Sequence, residues 1–247
     1  MDLSDIQPLP NEPALFIKNK KILIVADLHI GIESQLREQG INTSSKTQNM
    51  MDRLLKIIKK LNPVEIVLLG DIKHNIPSST IQERRDVKIF LNILIDHGKV
   101  SIVPGNHDGN IGKVAPQEII IHPSYGFKIE NIGFVHGHRW PNEEIMDCDQ
   151  LIISHTHPTI MFTDRLGHKT FEPCWIKCPI FKEKLVEKYP NGKCSSVLVI
   201  PSFNPLCGGI AANKDGIAGP VGKIIDIENS QIYLIDGTSL GKVKSIK

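Results

Sequence analysis

Aromatic residues are scarce. Phe, Tyr and Trp together make up 5% of the 247 residues, so a core must be assembled from aliphatic side chains. Cysteine is sparse and odd in number, five in all. The acidic, proline-bearing start MDLSDIQPLPNEP does not read as a secretory signal, so no disulfide framework is expected and the cytoplasm is the expected location. Charge of one sign is also missing: 29 Lys and Arg stand against 27 Asp and Glu, a net charge of +2. That excludes the broad basic face of a dedicated duplex binder, although a local basic patch is compatible with it. No apolar run approaches the roughly 18 residues of a membrane helix, so no membrane partner is expected. Disorder is excluded by the 40% hydrophobic content, rich in Ile, Leu and Val. The length suits one large α/β domain, or at most two small ones.

The apolar pattern then sets the order of elements. Residues 14–18 and 21–26 read as a hairpin about Asn19-Lys20. Helices are predicted at 33–39, stopped by Gly40, at 46–61 and at 80–96. The second of these puts Met50, Met51, Leu54, Leu55, Ile58 and Leu61 on one face. Lys56, Lys59 and Lys60 fall largely away from it, as a solvated face would. Runs at 64–70 and 99–105 read as buried strands, so the first half alternates strand and helix as a parallel α/β core does. The second half is β-rich. Strands are predicted at 118–121, 127–129, 132–137, 151–155, 159–163, 195–200, 223–227 and 231–235, with one helix at 181–189. Both halves fit an α/β (α+β) fold, a two-sheet β-sandwich flanked by helices.

Histidine is where the sequence is rich, with ten. Several predicted strands run out into polar clusters: Asp27 and His29 in VADLH, Asp71 in LLGD, and Asn106, His107 and Asp108 in VPGNHD. FVHGH adds His136 and His138, and ISHTH adds His155 and His157. Ligand sites in α/β folds form at the carboxyl ends of strands. Asp27/His29 and His155/His157 are two apart, a spacing that on extended chain aims both side chains to one face. Carboxylates, imidazoles and an amide with no thiolate suit manganese, iron or zinc rather than copper(I) or calcium. The groups are too many for one ion, and Asp71 could bridge two. Cys174, Cys178, Cys194 and Cys207 fit no standard zinc spacing and read better as buried, reduced thiols.

DLH, GD, GNHD, HGH and HTH in this order resemble the calcineurin-like metallophosphoesterase superfamily over nearly the whole chain. DIKH (71–74), SHTHP and VLVIPSFNPLCGG resemble its compact SbcD-related (ICC-like) archaeal and bacterial branch, which includes a ligase-associated manganese-dependent DNA endonuclease. The resemblance implies one phosphoesterase domain over 1–247 without a capping domain. It implies two divalent metal ions, Mn2+ foremost, with Fe, Zn or Mg as alternatives. Asp27, His29 and His157 would hold the first, Asn106, His136 and His155 the second, and Asp71 both. His107 would face the substrate phosphate as electrostatic stabiliser or general acid, with Asp108 orienting it. Two departures stand out: His74 occupies a position where many members carry Asp or Asn, and Ser154 replaces a glycine before HTH, with little expected effect.

Lys73, His74 and His138 are candidates for substrate contact or for orienting a ligand. Arg139 could offer a cation, and Trp140 a stacking face, although a packed tryptophan is the plainer reading. His97 and His168 read as ordinary surface residues, and Asp164, Arg165 and the 201–210 loop as candidate pocket edges. The reaction implied is metal-assisted hydrolysis of a phosphodiester, on single-stranded DNA or flexible nucleic-acid ends. The alternatives are a phosphodiesterase or phosphatase acting on small or cyclic nucleotides, and a non-catalytic scaffold such as the retromer subunit that shares this fold. The intact donor set and His107 argue against the scaffold.

Overall fold

Alternation of apolar side chains along the first strands decides the architecture. The computed structural model describes residues 5–41, 43–77 and 79–246, so the first four residues of the acidic start lie outside it. β1 (Ile6–Pro8), β2 (Leu15–Ile17) and β3 (Ile22–Val25) form an antiparallel meander, which contains the expected hairpin. β4 (Glu65–Leu68), β5 (Lys99–Ile102) and β6 (Ile120–Ile121) extend it in parallel, in the order β1-β2-β3-β4-β5-β6. The crossovers carry α1 (Ile32–Glu38), α2 (Thr47–Leu61) and α3 (Ile81–Ile95). Leu23, Val25, Ile66, Leu68, Val100 and Ile102 pack with Met50, Leu54, Ile58, Phe90 and Leu94 of the helices. Their neighbours Ile22, Ile24, Val67, Leu69 and Val103 turn the other way, into the space between the sheets.

Helix ends follow local chemistry. α2 buries Met50, Met51, Leu54, Ile57 and Ile58, while Lys56, Lys59 and Lys60 are exposed. Full burial of each such apolar side chain contributes about 1.5–3 kcal/mol. The helix stops at Asn62, left-handed at φ 46°, just before Pro63. α3 begins at Thr80, whose hydroxyl accepts from the Glu83 amide at 3.0 Å.

The second sheet comprises β7 (Phe127–Ile129), β8 (Ile132–Phe134), β9 (Gln150–Ile153), β10 (Pro158–Thr163), β11 (Lys169–Pro179), β12 (Ser196–Val199), β13 (Ile210–Ala211), β14 (Gln231–Leu234) and β15 (Ser239–Lys242). Its path is β13-β10-β11-β12-β9-β8-β7, with β14 pairing β11 and β15. Phe134, Ile152, Trp175, Leu198 and Ile200 meet the first sheet. Leu151, Ile153, Ile176, Val197 and Val199 face outward, under Met146 of α4 (Glu143–Met146), Leu185 of α5 (Lys182–Lys188) and Ala212 of α6 (Ala212–Asp215). The result is the expected sandwich of two sheets with helices on both outer faces. Among the described residues no helix is long and apolar enough to cross a membrane.

One predicted strand is wrong and one long strand was not foreseen. Residues 223–227 are not a strand: a 3-10 helix covers Pro220–Ile224, and Ile225 makes a single bridge to Ile180. Ile224 and Ile225 are both buried in the outer core, and adjacent strand residues cannot share a face. β11 escaped notice because Lys169–Pro173 are exposed without a buried alternate face, and two prolines fall in the run.

Candidate metal centre

The parallel strands β3, β4 and β5, and the parallel pair β8 and β9, end at one rim of the sandwich. The five polar clusters sit on the loops that follow them. Asp27 and His29 do not converge through the pleat of an extended chain, and neither do His155 and His157. All four are left-handed, at φ 54°, 40°, 69° and 45°, and Asp71 is too, at 51°. These are five of the ten non-glycine residues with positive φ among the described residues. Such strain persists where surrounding structure over-determines it, and it gathers at functional sites. Here the amides of Asp27, His29 and Ile30 bond to the carbonyls of Gly70, Asp71 and Ile72, carrying the β3/β4 pairing on through both loops.

Two glycines permit the close approach. A Cβ on Gly70, itself at φ 83°, would lie 2.1 Å from Nδ1 of His136. A Cβ on Gly105 would lie 2.1 Å from Asp71 Oδ1 and 2.6 Å from the Asp71 backbone nitrogen. The glycines of LLGD and VPGNHD are therefore steric requirements of the donor set.

Of four candidate donor groups among the described residues, two contain Asp71. Asp27, His29, Asp71 and His157 each offer an atom within 4.8 Å of the others, as do Asp71, His136 and His155. The Asp71 carboxylate belongs to both. His29 Nε2 is 3.3 Å from His157 Nε2 and 3.5 Å from Asp71 Oδ2. His136 Nε2 lies 3.3 Å from Asp71 Oδ2 and 3.2 Å from Asn106 Oδ1, which joins Asn106 to the second group.

The far nitrogen of three of these imidazoles is fixed by a partner, as it is for most metal-binding histidines. His157 Nδ1 donates to the Gly208 carbonyl at 3.0 Å. His136 Nδ1 meets the Leu69 carbonyl at 3.1 Å and the Ser154 hydroxyl at 3.0 Å. The Ser154 hydroxyl itself donates to Leu69 at 2.7 Å, so this serine orients a ring rather than merely fitting in place of a glycine. His29 Nδ1 faces His74 Nδ1 at 3.1 Å, and His74 Nε2 meets Gln35 Oε1. With the amide oxygen as acceptor, His74 keeps its proton on Nε2, His29 keeps its own on Nδ1, and His29 Nε2 is left with a free lone pair.

Burial dominates the electrostatics. It lowers His29 to about 3 and His155 to about 4, so both are neutral imidazoles able to ligate. Burial would lower His136 as well, but its hydrogen bond to Asp71 and that carboxylate's charge raise it to about 9. Burial would raise Asp71, yet the His136 hydrogen bond and charge hold it below the ordinary carboxylate value. Burial would lower His157, but the nearby Asp27 carboxylate charge outweighs it and raises the imidazole above its ordinary value.

Asp27 tests whether a cation fits. The residue is fully buried, and neither carboxylate oxygen accepts a hydrogen bond from the described residues. A buried bare carboxylate costs several kcal/mol unless paired with positive charge. Imidazole, carboxylate and amide donors around it form a fitting set for divalent cations, held by Asp27, His29, Asp71 and His157 on one side and by Asp71, Asn106, His136 and His155 on the other.

The remaining candidates divide. His107 stands beside the first group, its ring centroid 4.8 Å from that of His29. Its amide donates to Asp71 Oδ1 at 2.8 Å, and its Nδ1 donates to the His74 carbonyl. Asp108 makes no hydrogen bond to the His107 ring among the described residues. Its oxygens accept the amides of Ile72, Lys73 and Gly105 at 2.9, 3.2 and 2.9 Å, clamping the two loops together, so it acts on the site through the backbone. His138 packs beside His136 with its Nδ1 sealed and unpaired among the described residues, and burial lowers it to about 4. Lys73 is buried, its ammonium on the Asn75 carbonyl. Arg139 is exposed and donates to Ser124, outside both donor groups. Trp140 packs edge-on against Tyr189 in the outer core, as the plainer reading had it. Asp164 closes the β10–β11 turn on Leu166 and His168, away from the donor groups.

Sequence reasoning missed the place of Cys207 beside the donor set. Cys174, Cys178 and Cys194 are buried in the outer core, whereas Cys207 groups with His29 and His157. Cys207 is thus apart from the other three, and among the described residues no candidate metal group brings these thiols together.

The fold has a counterpart among solved structures. The chain aligns with the Pseudomonas putida nuclease MPE at TM-score 0.60 and 19% identity, covering 94% of this chain and 97% of that one. It also aligns with Yfce, a phosphoesterase from E. coli, at TM-score 0.40 and 15% identity, over 90% and 97% of the two chains. Residues 20–177, well over half of the chain, match the calcineurin-like phosphoesterase family. The chain therefore belongs to that family, whose members are metal-dependent hydrolases of phosphoester bonds.

Proposed function

We propose that this protein is a phosphodiesterase that cleaves single-stranded DNA or flexible nucleic-acid ends in the cytoplasm, with two manganese ions. Iron, zinc or magnesium could serve in their place. The observation that carries the reading is the pair of donor groups sharing the Asp71 carboxylate, with His107 fixed at their edge. When bound, such a cation pair polarises phosphoryl oxygens and lowers the pKa of the attacking water. In its charged form His107 offsets the charge that builds on the phosphoryl group, and its Nε2 carries the proton handed to the departing alkoxide. Asp108 keeps the His107 and Asp71 loops in register.

Three features support a flexible strand as substrate. Asn106, Gly109, Asn110 and Gly208 are exposed around the donor groups, which makes the rim open. The net charge of +2 gives little attraction for a long duplex. The fold is like that of a nuclease over nearly its whole length. The cytoplasmic setting draws on the five unpaired cysteines.

The test is cleavage of circular single-stranded DNA with manganese, against magnesium, zinc and chelator controls, beside His107→Ala and Asp71→Ala. Linearisation that needs the cation and is lost in both variants supports the reading. Survival of the circle while a chromogenic phosphodiester is hydrolysed, with the same loss in both variants, moves the substrate to small nucleotides.

A further inference from the structure

We propose that Cys207 is a ligand of the first cation position, completing with Asp27, His29 and His157 a site that takes thiophilic divalent ions. This rests on the two-cation reading above. The Cys207 sulfur lies within 4.8 Å of a ring nitrogen of both His29 and His157, in a group separate from the one that joins those histidines to the Asp27 and Asp71 carboxylates. It also contacts the Asp27 carbonyl at 3.9 Å.

The loop that presents this sulfur is built onto the site. The Phe203 amide donates to the Ala26 carbonyl at 2.9 Å, the Ser202 hydroxyl to Asp27 at 2.9 Å, and the Asn204 side-chain amide to Leu28 at 2.8 Å. The Gly208 carbonyl, one residue beyond the cysteine, holds His157 Nδ1. The same short segment therefore orients one histidine and sets a sulfur beside it. An independent feature marks the place as one for a cation: the fully buried Asp27 carboxylate, with no hydrogen-bond donor to either oxygen among the described residues, is 3.5 Å from His157 Nε2. The other four cysteines are buried elsewhere and share no such group.

A thiol that coordinates a soft cation gives its proton to solvent and binds as thiolate. Thiolate favours zinc, cobalt, cadmium or iron, whereas magnesium takes oxygen donors. The second group, Asp71, Asn106, His136 and His155, contains no sulfur. The two positions therefore differ in softness, and the first also accepts late transition metals in place of manganese.

The test uses the full chain, stripped of metal and titrated with Co2+, with Cys207→Ser, Cys207→Ala and Asp27→Asn alongside. The wild type is expected to show the visible ligand-field bands of cobalt together with a near-ultraviolet sulfur-to-cobalt charge-transfer band. Both cysteine variants should keep the visible bands and lose the charge-transfer band. Their cadmium affinity should fall about tenfold or more, while their manganese affinity changes by less than about twofold. A wild type that binds cobalt without the charge-transfer band, or a band that persists in both cysteine variants, overturns the role of Cys207 and leaves the two-cation reading intact. Failure of the wild type to bind cobalt at all overturns both.

Discussion

Replacing Gly105 by alanine tests the packing logic of the site with a single methyl group. Gly105 is buried, and its φ lies outside the left-handed range, so the substitution meets no backbone penalty. The cost is purely steric. The new Cβ would stand 2.1 Å from Asp71 Oδ1, 2.8 Å from its Cγ and 2.6 Å from its backbone nitrogen. Restoring ordinary contact distance requires the carboxylate to move by more than about 1 Å, and the backbone contact means that the loop moves with it. Overpacking of this kind costs about 1–3 kcal/mol, or about 2–4 °C of Tm for each kcal/mol at this chain length. Because Asp71 belongs to both donor groups, the displacement also misplaces the chemistry, for which a 1 Å error costs about a hundredfold in rate. Gly109, four residues on in the same loop, is the matched control, because a methyl group there would have nothing within 4 Å. Gly109→Ala should be neutral or stabilising by up to about 1 kcal/mol. Urea unfolding, calorimetric metal titration and phosphodiester hydrolysis should separate the two variants on every axis. If Gly105→Ala behaves like Gly109→Ala, the close approach to Asp71 does not constrain the site and the steric argument is wrong.

Gln35→Met removes the acceptor at the end of the His74–His29 chain, releases the His29 tautomer, and should lower manganese affinity about tenfold. Gln35→Glu keeps an acceptor and should restore it; equal affinities for the two variants would refute the chain. Chelation should lower Tm, since a cation at 100 times its Kd adds about 2.7 kcal/mol, and Asp71→Ala should show little of that difference in a paired thermal melt. Near neutral pH the ion-free protein carries a proton on His136, raised to about 9 by Asp71, so loading should release it. Its contribution to ion-free stability is full below the unfolded value of 6.5 and is lost as pH rises through about 9, so proton release measured by calorimetry in buffers of differing ionisation enthalpy should vanish above that range. Asp108→Asn leaves one acceptor atom for three loop amides and should cost about 1–3 kcal/mol in denaturant unfolding, with unchanged m.

The parallel core was legible because its strands are solid apolar runs with both faces buried, and because α2 shows its stripe plainly. β11 was not, because one strand serves two environments: Lys169–Pro173 form an exposed arm with β10, and Cys174–Pro179 enter the main sheet. At the site the donor types and their order could be read along the chain. Their convergence was ascribed to strand alternation, whereas left-handed backbone at Asp27, His29, His155 and His157 produces it. Ser154 read as a neutral replacement, and Cys207 as one more buried thiol, for a related reason. Each acts on a segment distant in sequence, Ser154 on Leu69 and Cys207 on Asp27, and neither contact has a local signature.

That arrangement has an energetic consequence. Left-handed conformations at five non-glycine residues cost about 1–3 kcal/mol each, a sum comparable with the whole net stability of about 5–15 kcal/mol typical of a domain. The buried Asp27 carboxylate adds to this cost. These penalties fall on loops from both sheets: the carbonyls of Gly70 and Asp71 hold Asp27 and His29 at the rim of the first, that of Gly208 holds His157 at the rim of the second, and His136 Nδ1 on the Leu69 carbonyl ties the two rims together. Cation binding then acts on the same loops as folding does, and it meets the Asp27 carboxylate, to which no hydrogen bond is made among the described residues. The rim of this sandwich is therefore expected to be its least stable part without cations and among its most rigid with them. Amide hydrogen exchange at residues 26–30, 70–74 and 154–158 should slow far more on loading than exchange in α2, and equal slowing across the chain would refute the coupling.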